Sequence, residues 1–241
     1  MSPQDNPVRR AGPITYHHEL IQGSDEWRAA RCGMLTASEM KLILTPTLKI
    51  ASNDKERAHL YELLAQRITK YVEPAYVSDD MLRGLNDEIT ARALYAEHVA
   101  PVTDVGFITN DRWGFTLGYS PDALVGDDGL LECKSRRQKF HVETWIENVP
   151  ERIPPPEFVL QMQTGMLVAE RDWCDLVSFS GGLPLIVMRV FADQKIQDAI
   201  IEAAAAFERK LAIKLANYEA ALKSVSRLIQ TERRVEQEIV I

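Results

Sequence analysis

Two carboxylates and a lysine stand out between Gly118 and Lys139, in the stretch GYSPDALVGDDGLLECKSRRQK. Pro121-Asp122 is followed ten residues later by Glu132-Cys133-Lys134. An acid-x-lysine triplet means little alone, because this composition yields about 1.5 of them by chance and the chain has four. Glu39-Met40-Lys41, Asp193-Gln194-Lys195 and Glu208-Arg209-Lys210 fall on expected helices or their edges, where positions i and i+2 do not share a face. Glu132 and Lys134 fall on an expected strand, where i and i+2 point the same way. Asp122 lies one tight turn upstream, so the three side chains can converge.

Such a trio suits phosphodiester hydrolysis. Carboxylates offer hard oxygen ligands to a divalent cation, and Mg²⁺ fits that donor set, with Mn²⁺ the alternative. A bound cation lowers the pKa of its water and stabilises transition-state charge. A lysine on the same face can position that water or neutralise developing charge. Cys133 has to face the other side of the strand, leaving its backbone carbonyl as a further ligand. The competing reading is a hairpin with a Glu–Lys ion pair on a wet face.

The elements that must hold these groups can be read from periodicity and punctuation. Residues 1–15 show none and read as a mobile tail before a single domain over 16–241. Ser24-Asp25-Glu26 opens a short helix through Arg31, ended by Gly33. Thr36-Ala37-Ser38-Glu39 is a capping box, which predicts a helix over about 37–44. Leu60, Leu63, Leu64 and Ile68 predict a helix over 54–72, and Leu82, Leu85, Ile89 and Ala93 one over 79–99. Strands follow at about 103–109, 114–119 and 129–135, then a helix at 139–147 and another at 157–169 after three prolines. Strands at 173–179 and 185–191 flank Gly181-Gly182, and a long amphipathic helix runs from 194 to 230. On that helix Leu211, Leu215, Tyr218, Leu222, Val225 and Ile229 form an apolar seam expected to pack onto the parent domain. The order predicts one α/β domain with a helical lead-in and a long C-terminal helix.

Composition narrows the function. A net charge of −7 excludes a protein that coats nucleic acid by bulk charge, though not an enzyme with a local basic site. The dense basic run is Arg136, Arg137 and Lys139, just past the candidate catalytic strand. It reads either as phosphate positioning or as a solvated cap to the next helix. Cys32, Cys133 and Cys174 are odd in number with no CxxC, which points to a reduced, cytoplasmic setting. No apolar run approaches membrane-spanning length, and the first fourteen residues lack the apolar stretch expected of a secretory signal.

Asp–(x)9–Glu-x-Lys on a hairpin followed by a helix resembles the signature of the PD-(D/E)xK nuclease superfamily. Within it, the chain resembles the lambda-type phage alkaline exonucleases, the viral recombinase nucleases. The likeness spans most of 18–170 through QGSDEWRAARCGMLTASE at 22–39, RGLNDE at 83–88, GYSPDAL at 118–124, LLECK at 130–134 and LQMQTGM at 160–166. It implies a restriction-endonuclease-like core and a ring-shaped homotrimer. That ring would digest one strand of linear duplex DNA from its 5′ end with two Mg²⁺ ions, leaving a 3′ overhang for a single-strand annealing partner. A phage- or prophage-encoded protein of the bacterial cytoplasm is implied as well.

Position by position, the resemblance makes Asp122 and Glu132 the metal ligands and Lys134 the catalytic lysine. Glu88 would add a third carboxylate toward a second ion, with Asp87 its rival. Arg31 and Ser38 match a 5′-phosphate pocket. Independently of the family, Arg31 is a planar multi-donor cation near a helix end, and Ser38 lies in the first turn of the next helix, where free N–H groups favour an anion. Ser120, beside Asp122, is either a phosphate contact or a turn hydroxyl. Gln161 and Gln163 cannot both face the site, and Gln161 is the better match. Trp27 and Trp145 read as core residues. The competing functions are an endonuclease on the same core, which would cut circles, and a non-catalytic DNA-end-binding module.

Overall fold

The computed structural model describes residues 13–74 and 79–233, without side chains for 79–81. Most of the expected tail therefore lies outside the described residues, and the first described element is strand β1, Ile14–His17. The helices are α1 (Asp25–Arg31), α2 (Met40–Ile43), α3 (Asp54–Thr69), α4 (Asp79–His98), α5 (Gln138–Glu143), α6 (Pro156–Ala169) and α7 (Gln194–Ser224). The remaining strands are β2 (Leu35–Thr36), β3 (Phe107–Asn110), β4 (Leu117–Tyr119), β5 (Ala123–Val125), β6 (Gly129–Ser135), β7 (Trp173–Phe179) and β8 (Ile186–Phe191).

Two four-stranded sheets result, in the orders β1-β3-β4-β2 and β5-β6-β7-β8. In the first, β2 runs parallel to β4 while the other pairs are antiparallel. In the second, β6 and β7 are parallel and joined through α5 and α6, with β5 and β8 antiparallel at the edges. Helix α6 packs on β3 and β4 of one sheet and on β6 and β7 of the other. It is buried along much of its length, at Leu160, Met162, Met166 and Val168 among others. Gly165 permits this approach, because a Cβ there would lie 2.6 Å from the Tyr119 ring. The main core gathers around α6, and a smaller one joins Ala91 and Tyr95 of α4 to Leu131, Cys133 and Val177. Strand β6 is thus covered on both faces, which is why its pattern reads as a continuous apolar run at Leu130-Leu131.

Several expectations need correction. Leu82, Leu85 and Ile89 supply the helical period of α4 yet lie exposed, while Ala91 and Tyr95 carry the buried face. Periodicity identified the helix but not which stripe packs. The predicted helix over 37–44 is a 3₁₀ turn at 37–39 followed by only four α-helical residues. Its first turn therefore has little of a long helix's pull on an anion. Helix α7 stops at Ser224, and its seam packs through Leu211 and Leu215, whereas Tyr218, Leu222, Val225 and Ile229 are exposed. Trp145 is exposed as well. The short strands β2 and β5 escape detection because two or three residues cannot display an alternation.

Candidate active site

Strand β6 delivers Glu132 and Lys134 to one face, and Lys134 Nζ donates to Glu132 Oε1 at 2.5 Å. The glutamate is 2% exposed, so this is no wet-face ion pair. Its other oxygen, Oε2, accepts from the buried Tyr119 hydroxyl at 2.8 Å, and Gln161 from α6 also donates to Oε1. Gln163, two residues on, looks away: its amide donates to the Phe191 carbonyl at 2.8 Å and accepts from the Asp193 N–H at 2.9 Å. Helical spacing separates the two glutamines, as it must.

Asp122 precedes β5, its backbone N–H bound to the Leu131 carbonyl at 3.1 Å. Its carboxylate Oδ2 accepts from the Cys133 N–H, and Oδ1 has no hydrogen bond among the described residues. The ladder between β5 and β6 ends at Ala123–Leu131, so the Cys133 peptide edge faces the space beside Asp122. In a strand the N–H and C=O of one residue share an edge, which turns the Cys133 carbonyl the same way. The Cys133 thiol is buried in the opposite core, and burial followed by the Asp122 and Glu132 charges pushes its pKa upward.

The electrostatics are those of crowded anions out of water. Burial, with Glu132 next, pushes the Asp122 pKa up to about 8, although Lys134 and the Cys133 N–H pull against it. Burial alone would lower the Lys134 pKa, but Glu132 and then Asp122 overcome it and hold the ammonium charged. Burial also raises the pKa of Glu88, half-buried on α4, where Lys134, Glu132 and Asp87 all act on it. Its neighbour Asp87 instead accepts from Ser135 Oγ at 2.5 Å.

Among the described residues no three His, Cys, Asp or Glu side chains close on one point as a preformed metal cage. The fit is to a hard cation that keeps much of its water. Asp122 Oδ1 and the Cys133 carbonyl edge are the open oxygens, Glu132 stands beside them, and a cation there would offset the burial and the Glu132 charge that raise the Asp122 pKa.

A second site lies on the first sheet's side. Arg31, at the end of α1, donates from Nη1 to Ser120 Oγ at 3.2 Å and from Nη2 to Thr36 Oγ1 at 3.3 Å. Its guanidinium sits 4.2 Å over the Trp27 ring. Arg31 forms no salt bridge among the described residues, and burial lowers its pKa, partly offset by the charge of Glu39. Ser38 is exposed, with its Oγ 3.4 Å from Thr36 Oγ1. Ser120 lies just two residues before Asp122, and the Pro121 carbonyl between them accepts from Gln22 Nε2 at 2.7 Å. The cationic and anionic sites are therefore joined by three consecutive residues.

Arg136 meets the carboxylate site at Phe158, whose ring lies 5.1 Å from its guanidinium and 5.8 Å from Lys134 Nζ. Arg136 donates to Glu157 at 2.6 Å and packs against Phe140 and Phe158, leaving its Nε buried without a partner among the described residues. Arg137 is the residue before α5 and has an interaction partner of its own. Sequence reasoning missed Tyr119, Gln22 and Thr36 as parts of these sites. Tyr119 and Gln22 act through contacts 13 and 99 residues away, which no local pattern signals, and Thr36 reads from sequence only as a capping-box residue, not as a partner of Arg31.

Residues 26–172 match the model of the YqaJ-like viral recombinase domain. The chain belongs to that family. An alkaline exonuclease (LHK-Exo) from Laribacter hongkongensis superposes with a TM-score of 0.72 at 32% identity, over 83% of this chain and 98% of that one. The same enzyme in complex with dAMP gives a TM-score of 0.73 at 33% identity, with the same coverage of 83% and 98%. A phage-related exonuclease from Haemophilus somnus 129PT shares the fold at 14% identity and a TM-score of 0.55, over 77% of this chain and 96% of that one. Comparison with curated proteins gives no significant match. The fold is the PD-(D/E)xK-like α/β fold of the alkaline exonucleases. No helix among the described residues is long and apolar enough to cross a membrane.

Proposed function

We propose that this chain is a divalent-metal-dependent exonuclease that digests one strand of linear duplex DNA from its 5′ end. The observation that carries the reading is the three-residue link from Ser120, in the Arg31 pocket, to Asp122, in the carboxylate site. A hydrolytic site tied this closely to a cationic pocket acts at a fixed distance from a terminal phosphate. That link supports end-directed cleavage over cutting within a circle.

Asp122, Glu132 and the Cys133 carbonyl would hold Mg²⁺ or Mn²⁺, and Glu88 would serve a second ion. The metal supplies a water of lowered pKa and charge stabilisation at the scissile phosphate. Glu132 is held in one orientation by hydrogen bonds from Tyr119 and Gln161. Lys134 stays charged beside it and orients the attacking water or neutralises the phosphate. Arg31, Ser38 and Ser120 grip the 5′-phosphate, and the fork of Arg31 suits its dianion. Arg136 and Arg137 would follow the strand backbone beyond the site, Arg136 by exchanging Glu157 for a phosphate.

The relatives named as exonucleases support the reaction class, and the family supports a role in phage-type recombination. In that role the product is a 3′ overhang, and a single-strand annealing protein takes it up. A homotrimeric ring in the bacterial cytoplasm would let a chain of net charge −7 hold DNA by enclosure instead of bulk attraction. The test is one gel comparing linear with covalently closed circular duplex, with and without Mg²⁺. Metal-dependent loss of the linear form alone is expected, and nicking or cutting of the circle overturns the exonuclease reading.

A further inference from the structure

Trp27 has a task that neither core packing nor base stacking describes. Its indole N–H is shared between Ser120 Oγ at 2.9 Å and the Gly106 carbonyl at 3.1 Å. Ser120 Oγ therefore accepts two hydrogen bonds, from Trp27 at 2.9 Å and from Arg31 at 3.2 Å. A hydroxyl has two lone pairs and one hydrogen. With both lone pairs engaged, the Ser120 hydrogen has to point elsewhere, and it donates to no group among the described residues.

Thr36, on the other side of Arg31, is in the opposite state. Its hydroxyl donates to Glu39 Oε2 at 2.7 Å, so its oxygen is left as an acceptor for Arg31 at 3.3 Å. Arg31 is thus held between two oxygens, only one of which keeps a hydrogen to offer. The backbone makes room for this arrangement at Gly106, where a Cβ would lie 1.8 Å from the Leu20 carbonyl.

We propose that Trp27 is a positioning residue that turns Ser120 into an obligate donor aimed at the terminal phosphate. The inference rests on the end-phosphate reading of the Arg31 pocket. It assigns the Trp27 N–H a role in distinguishing a 5′-phosphate from a 5′-hydroxyl, while the Trp27 ring separately supports the guanidinium at 4.2 Å.

The test is the ratio of kcat/KM on 5′-phosphoryl and 5′-hydroxyl linear duplexes for wild type, Trp27→Phe, Ser120→Ala and the double variant. Trp27→Phe keeps an aromatic ring under Arg31 and removes the N–H, so the ratio should fall on the order of 3- to 10-fold, the size of one modest hydrogen-bond effect. Ser120→Ala should lower it by at least as much. In the double variant the two losses should fail to add, since they remove the same donor. Replacing Trp27 with its benzothienyl isostere, which lacks only the N–H, gives the same measurement should phenylalanine unfold the chain. An unchanged ratio in both Trp27 variants, or fully additive losses, overturns the role of Trp27 alone. A wild type that does not distinguish the two ends overturns the pocket reading and this inference together.

Discussion

The two polar sites of this protein put opposite charges out of water and solve the problem in opposite ways. At the carboxylate site the counter-charge is built in: Lys134 lies on Glu132, and Tyr119 and Gln161 complete the glutamate's partners. Asp122 still keeps an oxygen without a hydrogen bond among the described residues and a pKa raised to about 8. At the pocket, Arg31 is surrounded by hydroxyls and a ring, with no salt bridge among the described residues. One site is short of a cation and the other of an anion. A metal ion and a terminal phosphate are what the proposed nuclease has to bind, and on that reading each deficit matches one of the two ligands.

The comparison breaks most visibly at the carboxylates. Asp122→Ala or Glu132→Ala should reduce cleavage by at least about 10³-fold while the chain still folds, because each removes an oxygen the metal needs. A residual rate within tenfold of wild type, measured on linear duplex with saturating Mg²⁺, would end the assignment. Next in size is Lys134→Ala, expected to lose about 10²–10⁴-fold in rate with metal binding retained. Calorimetric titration of Mg²⁺ separates the two effects, and loss of metal affinity matching the loss of rate would contradict the role given to Lys134.

Arg31→Ala should act on the other side of the comparison. It should cost on the order of 10- to 100-fold on 5′-phosphoryl ends and much less on 5′-hydroxyl ends, as loss of a charged bidentate contact would. Arg31→Lys should fall between, since it keeps the charge and loses the fork. Equal defects on both kinds of end would make Arg31 a structural brace.

The smallest effect sharpens the electrostatic half. The folded pKa of Asp122, about 8, lies above its ordinary value of 3.8. In the metal-free protein its protonation therefore favours folding most fully below pH 3.8, and that contribution is lost as pH rises toward 8. A cation competes with the proton, so the rise in Tm on adding Mg²⁺ should grow between pH 6 and pH 9. Asp122→Asn should flatten the metal-free pH dependence in the same window. A Mg²⁺-induced shift independent of pH would show that the carboxylate is already ionised without metal.

Both polar sites left traces in the sequence, but unequal ones. Glu132 and Lys134 are legible because a strand has period two, and the same rule sends Cys133 to the opposite core. Asp122 is legible because its turn is short. The choice between Gln161 and Gln163 follows from helical spacing and the motif that names the first of them. Arg31 is legible as a motif residue and as a multi-donor cation near a helix end, but its partners Ser120 and Thr36 arrive from separate elements, 89 and 5 residues away.

Local rules on period, caps and turn residues thus determined the order of the longer elements, strand β6 and the trio of Asp122, Glu132 and Lys134. They set the capping box at Thr36 and Glu39, whose carboxylate accepts from the Thr36 N–H at 3.2 Å. Tertiary structure alone decided which apolar stripe of α4 is buried, because Leu82, Leu85 and Ile89 satisfy helical periodicity as well as Ala91 and Tyr95 do. It also decided that Tyr119 reaches Glu132 across Gly165, that Trp27 and Arg31 meet at Ser120, and that Arg136 is engaged by Glu157. Each of these depends on two elements approaching to hydrogen-bond distance. That approach is set by how the whole core packs around α6, which no window of neighbouring residues contains.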